Sequence, residues 1–260
     1  MIANYHTHTW RCNHATGREE EYVRTAIEQG FEILGFSDHS PYCFPGEYVS
    51  GIRMRTEQFS DYCSVIRLLQ KKYADQIKIP LGVEIEYYPA CFQPTLELLQ
   101  DGGIEYMILG QHFVVNEMDG VYCGRATAEE EILKRYCHQA MDAMQTGLFT
   151  YFAHPDLIRF RGDHAVYRKY MRRLCHNSKY RTCHKHSPDK SNNQGQYRCF
   201  RCLAFFQHSQ LPHTCLEVAL QTGKFCLVGN FPVAFQWQRH FSADIWHMSM
   251  SIFTILPVSE

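Results

Sequence analysis

Tyr5-His6-Thr7-His8-Thr9-Trp10-Arg11-Cys12-Asn13-His14 is the stretch from which the fold is read. It follows the apolar start Met1-Ile2-Ala3, which puts His6 and His8 at the carboxyl end of a first β-strand. Residues two apart on a strand point to the same side, so the two imidazoles can converge on one ion. A loop folding back over that strand end brings His14 within reach of the same place. A His-x-His pair taken alone is as often solvated or satisfied in a core. The reading therefore rests on its repetition further along the chain.

Working outward, Tyr22, Val23, Ala26 and Ile27 fall at helical spacing and Gly30 ends the run. Glu19, Glu20 and Glu21 open that helix and read as a solvated turn matched to the helix dipole. Residues 31–36 read as a buried strand with Ser37-Asp38-His39 at its end, and a helix-length segment spans 56–74. Residues 77–87 form a third strand with Glu84 and Glu86 on one face and Val83 and Ile85 on the other. A carboxylate on an inner face is costly unless paired or metal-bound, which makes Glu84 the candidate ligand and Glu86 the second choice.

Pro94 opens a helix over 95–100, and the strand 106–110 leads into Gln111-His112-Phe113. Residues 127–146 are amphipathic, with Ile132, Leu133, Tyr136, Ala140 and Met144 on one stripe, and a fifth strand at 149–153 is closed by His154-Pro155-Asp156. The pattern is β-α repeated, with a metal-type side chain after every strand. In parallel α/β barrels the site is assembled at that end. The strand ends carrying His6/His8, His39, Glu84, His112 and His154 would surround one cavity.

The 260 residues, 45% hydrophobic, can bury a sizeable core, and the net charge of -1 gives no argument for nucleic acid or a membrane surface. With no basic-then-apolar leader and no apolar run of membrane-spanning length, the expectation is a soluble cytoplasmic protein. The 12 Cys then read as reduced thiols. Composition changes late in the chain. Of 27 acidic and 26 basic side chains, only four acidic (Asp189, Glu217, Asp244, Glu260) and eight basic ones lie after residue 175, where the sequence becomes rich in Cys, His, Ser and Gln.

Five segments together resemble the PHP superfamily, named after polymerase and histidinol phosphatase. They are His6-Thr7-His8-Thr9 with Arg11, His14 and Ala15; residues 35–41; residues 82–87; residues 110–113; and His154-Pro155-Asp156-Leu157. The run from His6 to His14 is similar to the monofunctional histidinol-phosphatase branch, and the resemblance covers about residues 1–175. It implies a distorted (β/α)7 barrel, incomplete or irregular after about residue 175. It also implies three divalent ions of zinc, manganese or iron type, and hydrolysis of L-histidinol phosphate in histidine biosynthesis. Carried over, His6 and His8 would hold a first metal, Glu84 would bridge to a second completed by His112 and His154, and His14 and His39 would bind a third.

The resemblance further implies an Asp-x-His near the last strand, and no such triplet stands there: Asp163-His164 comes too early, and Asp244 and His247 have the wrong spacing. Residues 1–175 are thus read as the phosphatase part and 176–260 as an atypical tail, expected to be a frameshift product and poorly ordered. A zinc-binding appendage built on Cys199, Cys202, His208, His213 and Cys215 is the rival account of the tail.

The chemistry implied is metal-assisted hydrolysis of a small phosphomonoester. Arg11 and Arg159 are candidates to bind phosphate oxygens through their planar forks, or are ordinary surface arginines. Another PHP-type phosphoesterase, or an inactive product lacking the last ligands, are the alternatives. The sequence names neither a leaving-group acid nor an oligomeric state.

Overall fold

Strands of a parallel sheet covered on both faces are apolar throughout, and that is how the strand-like runs of this chain are used. The computed structural model describes residues 3–182, with side chains to residue 176. The tail residues Cys199, Cys202, His208, His213 and Cys215, and Asp244 with His247, lie outside the described residues. Strand β1 (Ala3–Asn4) pairs in parallel with β2 (Ile33–Leu34). After Gly35 the second run continues as β3 (Phe36–His39), which leads a parallel sheet with β4 (Leu81–Ile85), β5 (Tyr106–Leu109) and β8 (Tyr151–Phe152). The amide of Gly35 donates to Asn4 O at 2.7 Å and that of Ser37 to Thr7 O at 2.9 Å. These bonds join the two parts into one curved surface.

Helices α1 (Glu19–Glu28), α2 (Phe59–Lys72), α3 (Phe92–Asp101) and α4 (Glu130–Thr146) connect the strands. Each buries a stripe at helical spacing, as Phe59, Tyr62, Cys63, Ile66 and Leu69 do on α2. The hairpin of β6 (Phe113–Val114) and β7 (Val121–Tyr122) was not foreseen from sequence. Helix α5 (His164–Thr182) packs on α4, with Tyr170, Met171 and Leu174 buried. Asp163, too early to serve as a ligand triplet, accepts from the amides of Ala165 at 2.6 Å and Val166 at 3.4 Å and so caps this helix. The helix runs beyond residue 175, so the change in composition does not coincide with an element boundary.

Several boundaries differ from the sequence reading for identifiable reasons. His6 and His8 lie past the short β1 rather than on it. The third strand starts at Leu81 because Pro80 has no N–H to give; before it, Lys78 bonds back to Glu32 and Leu34. Helix α3 starts at Phe92, with Pro94 inside the first turn, where the missing N–H costs nothing. Helix α4 starts at Glu130 because Thr127 bonds Arg159 O and Arg161 N instead, at 3.0 and 2.7 Å. Glu19 is not a solvated turn residue: it is buried and paired with Arg11, whereas Glu20 ties Arg24 and Lys72 at 2.8 Å each.

Below the carboxyl ends of the strands, the ring of Tyr106 crosses Gly82 and reaches Gly35, with its hydroxyl 2.9 Å from the carbonyl oxygens of Tyr5 and Phe36. A Cβ on Gly82 would overlap that ring. Gly82→Ala is therefore expected to cost about 1–3 kcal/mol of unfolding free energy, as overpacking does. Gly51→Ala, which meets nothing within 4 Å, should stay within about 0.5 kcal/mol of wild type. Equal urea midpoints for the two variants would contradict this packing.

Candidate metal centre

Register aims the cluster. His39 on β3 pairs with Glu84 on β4, and Glu84 with Ile108 on β5, so His39 and Glu84 project to the same side of the sheet. Gly110 follows β5 because a Cβ there would collide with the Glu84 carboxylate. Glu84 is 1% exposed. Its Oε1 lies 2.8 Å from His154 Nε2 and 3.6 Å from His112 Nε2, and its Oε2 3.2 Å from both His6 Nε2 and His8 Nε2 and 3.5 Å from His39 Nδ1. The imidazoles form a closed circuit around it. Ring centroids are 5.0 Å apart for His6–His8, 4.6 Å for His8–His39, 4.9 Å for His39–His112, 4.9 Å for His112–His154 and 5.8 Å for His154–His6. His14 stands outside it, 5.5 Å from the His8 ring and 4.9 Å from the His39 ring.

The outer nitrogens of three of these rings meet acceptors. His112 Nδ1 is 2.7 Å from Glu86 Oε1, His14 Nδ1 is 2.8 Å from Cys12 O, and His8 Nδ1 is 3.4 Å from Asp38 Oδ1. Asp38 is itself held by the hydroxyl of Thr9 and by the amide of His39, the latter at 2.8 Å. Metal-binding histidines are oriented in this way, one nitrogen facing the ion and the other a carboxylate or carbonyl. His154 has φ 33°, a conformation non-glycine residues rarely adopt and one that clusters at functional sites.

Burial opposes charge on Glu84, but the positive potential of His6, His39 and His112 holds its carboxyl well below the usual carboxylate range. Burial pushes His39 well below, and His6 below, the ordinary histidine value. Burial also opposes charge on His8, but its hydrogen bonds, with Asp38 the strongest, hold it well above that value. Burial is likewise outweighed at His112 by Glu84 and Glu86, which raise it.

The residues fit a cation. Glu84 Oε2 is buried 3.2 Å from two imidazoles yet accepts a well-formed hydrogen bond from neither, and His39 Nδ1 and His154 Nδ1 are also buried without partners. His6 Nε2 and His8 Nε2 face each other at 3.1 Å. Donor atoms of four groups each lie within 4.8 Å of one another: His6, Glu84 and His154; His8, His39 and Glu84; His8, Cys12 and His14; and His39, Glu86 and His112. Imidazole nitrogen with carboxylate oxygen suits zinc, iron and manganese.

Of the residues named from sequence, His6, His8, His14, His39, Glu84, His112 and His154 are brought together. The arginines are not. Arg11 is buried and committed to Glu19, Asp61 and Thr9, its Nη2 2.6 Å from Asp61 Oδ2. Its fork is occupied, so it braces Thr9 rather than a phosphate. Arg159 is exposed, its backbone bonded to Cys123 O and Thr127 N. Missed from sequence were Asp38 behind His8 and the buried Arg53 that grips Glu86; Glu86 itself, the second-choice ligand, stands behind His112. The Ser37-Asp38-His39 triplet carried the first signal; nothing local to Arg53 announced the last.

Residues 4–182 match the family described as the PHP domain. A probable histidinol-phosphatase of Deinococcus radiodurans is 31% identical over 113 residues, covering 44% of this chain and 43% of that one. The histidinol-phosphatase of Bacillus subtilis is 28% identical over 118 residues, 42% of this chain and 43% of that one. The aligned segment thus spans less than half the length of these relatives. The solved structure of a Lactococcus lactis histidinol phosphate phosphatase with zinc, L-histidinol and phosphate superposes with a TM-score of 0.52, at 21% identity over 68% of each chain. At that identity the likeness is one of fold.

Zinc added at about a hundred times its Kd should stabilise the metal-free chain by about 2.7 kcal/mol. For a domain of this size that raises the thermal midpoint by roughly 5–10 °C. Glu84→Gln should lose most of that rise. An undiminished rise in Glu84→Gln would place the zinc elsewhere.

Proposed function

The chain belongs to the PHP domain family, and on that premise we propose that it hydrolyses L-histidinol phosphate to L-histidinol and phosphate, a step of histidine biosynthesis, in the cytoplasm. The observation that carries this reading is the buried Glu84 carboxylate ringed by imidazoles at 2.8–3.6 Å. His6, His8, His14, His39, Glu84, His112 and His154 would hold divalent ions, three in the full arrangement, of zinc, manganese or iron type. Such ions supply Lewis acidity toward phosphoryl oxygens and acidify water, which monoester hydrolysis at neutral pH requires.

The chain's own residues do the rest. Asp38, Glu86 and the Cys12 carbonyl orient His8, His112 and His14 with one nitrogen turned outward. Glu84 keeps negative charge at the centre of the ring. The net charge of -1 favours a small-molecule phosphomonoester over nucleic acid. Arg159, exposed after His154, is the remaining cationic candidate for the phosphate. Residues 1–175 would carry the activity and 176–260 would be the atypical tail.

One observation favours a second reading, an inactive product: no Asp-x-His follows the last strand motif, so a full ligand set is not spelled out in the sequence.

Phosphate release from L-histidinol phosphate by the full chain with zinc or manganese separates the two. The proposal expects release that falls roughly 100-fold or more in His8→Ala, since even partners one shell out are worth about 10–100-fold. No release from the metal-loaded wild type supports the inactive product.

A further inference from the structure

Arg53 is the largest fully buried side chain in the described residues, and its hydrogen bonds go to Glu86, Glu117 and Ser40 rather than to the ring histidines. Its Nε donates to Glu117 Oε2 at 2.8 Å. Nη1 donates to Glu86 Oε2 at 3.0 Å and to Ser40 O at 3.2 Å. Nη2 donates to Glu86 Oε1 at 3.1 Å and to Glu117 Oε2 at 2.5 Å. Every N–H a guanidinium possesses has an acceptor. Tyr42 and Phe44 lie across its plane, 5.4 and 5.8 Å from their ring centroids, and Tyr48 OH closes the far side by donating to Glu117 Oε1 at 3.0 Å. A buried ion of this kind is expensive unless fully paired. Here three separate loops are tied together: the one after β3 through Ser40, the one after β4 through Glu86, and the β6–β7 turn through Glu117.

The consequence falls on His112. Glu86 is clamped on both oxygens by Arg53 and is ionised, so its Oε1, 2.7 Å from His112 Nδ1, can only accept. The proton on that contact must therefore belong to the imidazole, which in the neutral ring leaves Nε2 as a lone pair turned toward Glu84, 3.6 Å away. We infer that Arg53, acting through Glu86, is a positioning residue that fixes His112 as the Nδ1–H tautomer with Nε2 free to bind a cation. The inference deepens the metal-centre reading and rests on it for the identity of what Nε2 meets. Lysine cannot substitute, since it offers a point charge in place of a planar fork reaching two carboxylates.

The test is long-range ¹H–¹⁵N correlation of the histidine rings in the full metal-free chain, at a pH above their titration, for wild type, Arg53→Lys and Glu86→Ala. Zinc affinity by chelator competition and the thermal midpoint of the metal-free chain are measured beside it. Expected is an Nδ1–H His112 in wild type, a mixed or Nε2–H ring in both variants, and zinc affinity lower by about 10–100-fold. Two results overturn the inference: an Nε2–H His112 in wild type, which decides the matter even if Arg53→Lys does not fold, or folded variants with unchanged tautomer and zinc affinity within about twofold. A lower midpoint with an unchanged tautomer belongs to the second case, because it marks Arg53 as structural only. Absence of histidinol phosphate hydrolysis by the zinc-loaded wild type, with tautomer and zinc affinity as expected, overturns the substrate reading alone.

Discussion

A carboxylate in the middle of a parallel sheet is the constraint on which the rest of this molecule depends. Glu84 sits on β4 with apolar neighbours before and after it. Left alone there, its charge would cost several kcal/mol at least. The chain offsets this by collecting the ends of the neighbouring strands around it: His39 from β3, His112 after β5, His154 after β8, and His6 and His8 after β1. Parallel pairing is what makes this collection possible, since it brings the same end of every strand to one side. Gly110 and Gly82 then leave room for what lies over them, the carboxylate in one case and the Tyr106 ring in the other. The centre is built from many elements, yet no side chain reaches far to join it.

Much of this was legible because the signal is periodic and local. Strand-like runs, each followed by His or Glu, gave both the order of elements and the membership of the ring, since a register fixed by apolar pairing leaves the polar residue at the strand end one direction to face. What was not legible came from long-range polar contacts. Arg11 lies next to the histidines in sequence and looked free for phosphate. Its partners Glu19 and Asp61 stand on other elements, so only the fold reveals that it is spent. Glu19 was misjudged for the same reason. Arg53 lies in a segment without periodicity, and its acceptors at 40, 86 and 117 meet only when three loops close. The ends of β4 and α4 were misplaced where a proline or a competing bridge cut a run short.

The described residues provide five strand positions of a barrel, with β8 at one edge of the sheet. The family match and α5 both reach residue 182, beyond the point where charge and composition shift. The ring around Glu84 lies wholly within the matched segment. Arg53, Glu86 and His112 extend it outward on one flank, as Thr9, Asp38 and His8 do on the other. Each flank places a carboxylate behind a histidine and a second group behind the carboxylate. This layering pairs the carboxylates of both flanks, Asp38 and Glu86, while Glu84 Oε2 at the centre has no hydrogen-bond partner.

The most direct test of this account is zinc K-edge X-ray absorption on the full chain loaded with zinc. The histidine and glutamate ring predicts a first shell of nitrogen and oxygen at about 2.0–2.1 Å with imidazole outer-shell scattering and little or no sulfur. A dominant sulfur shell at about 2.3 Å would contradict it, because it would place the metal on cysteine thiolates rather than on the residues gathered around Glu84.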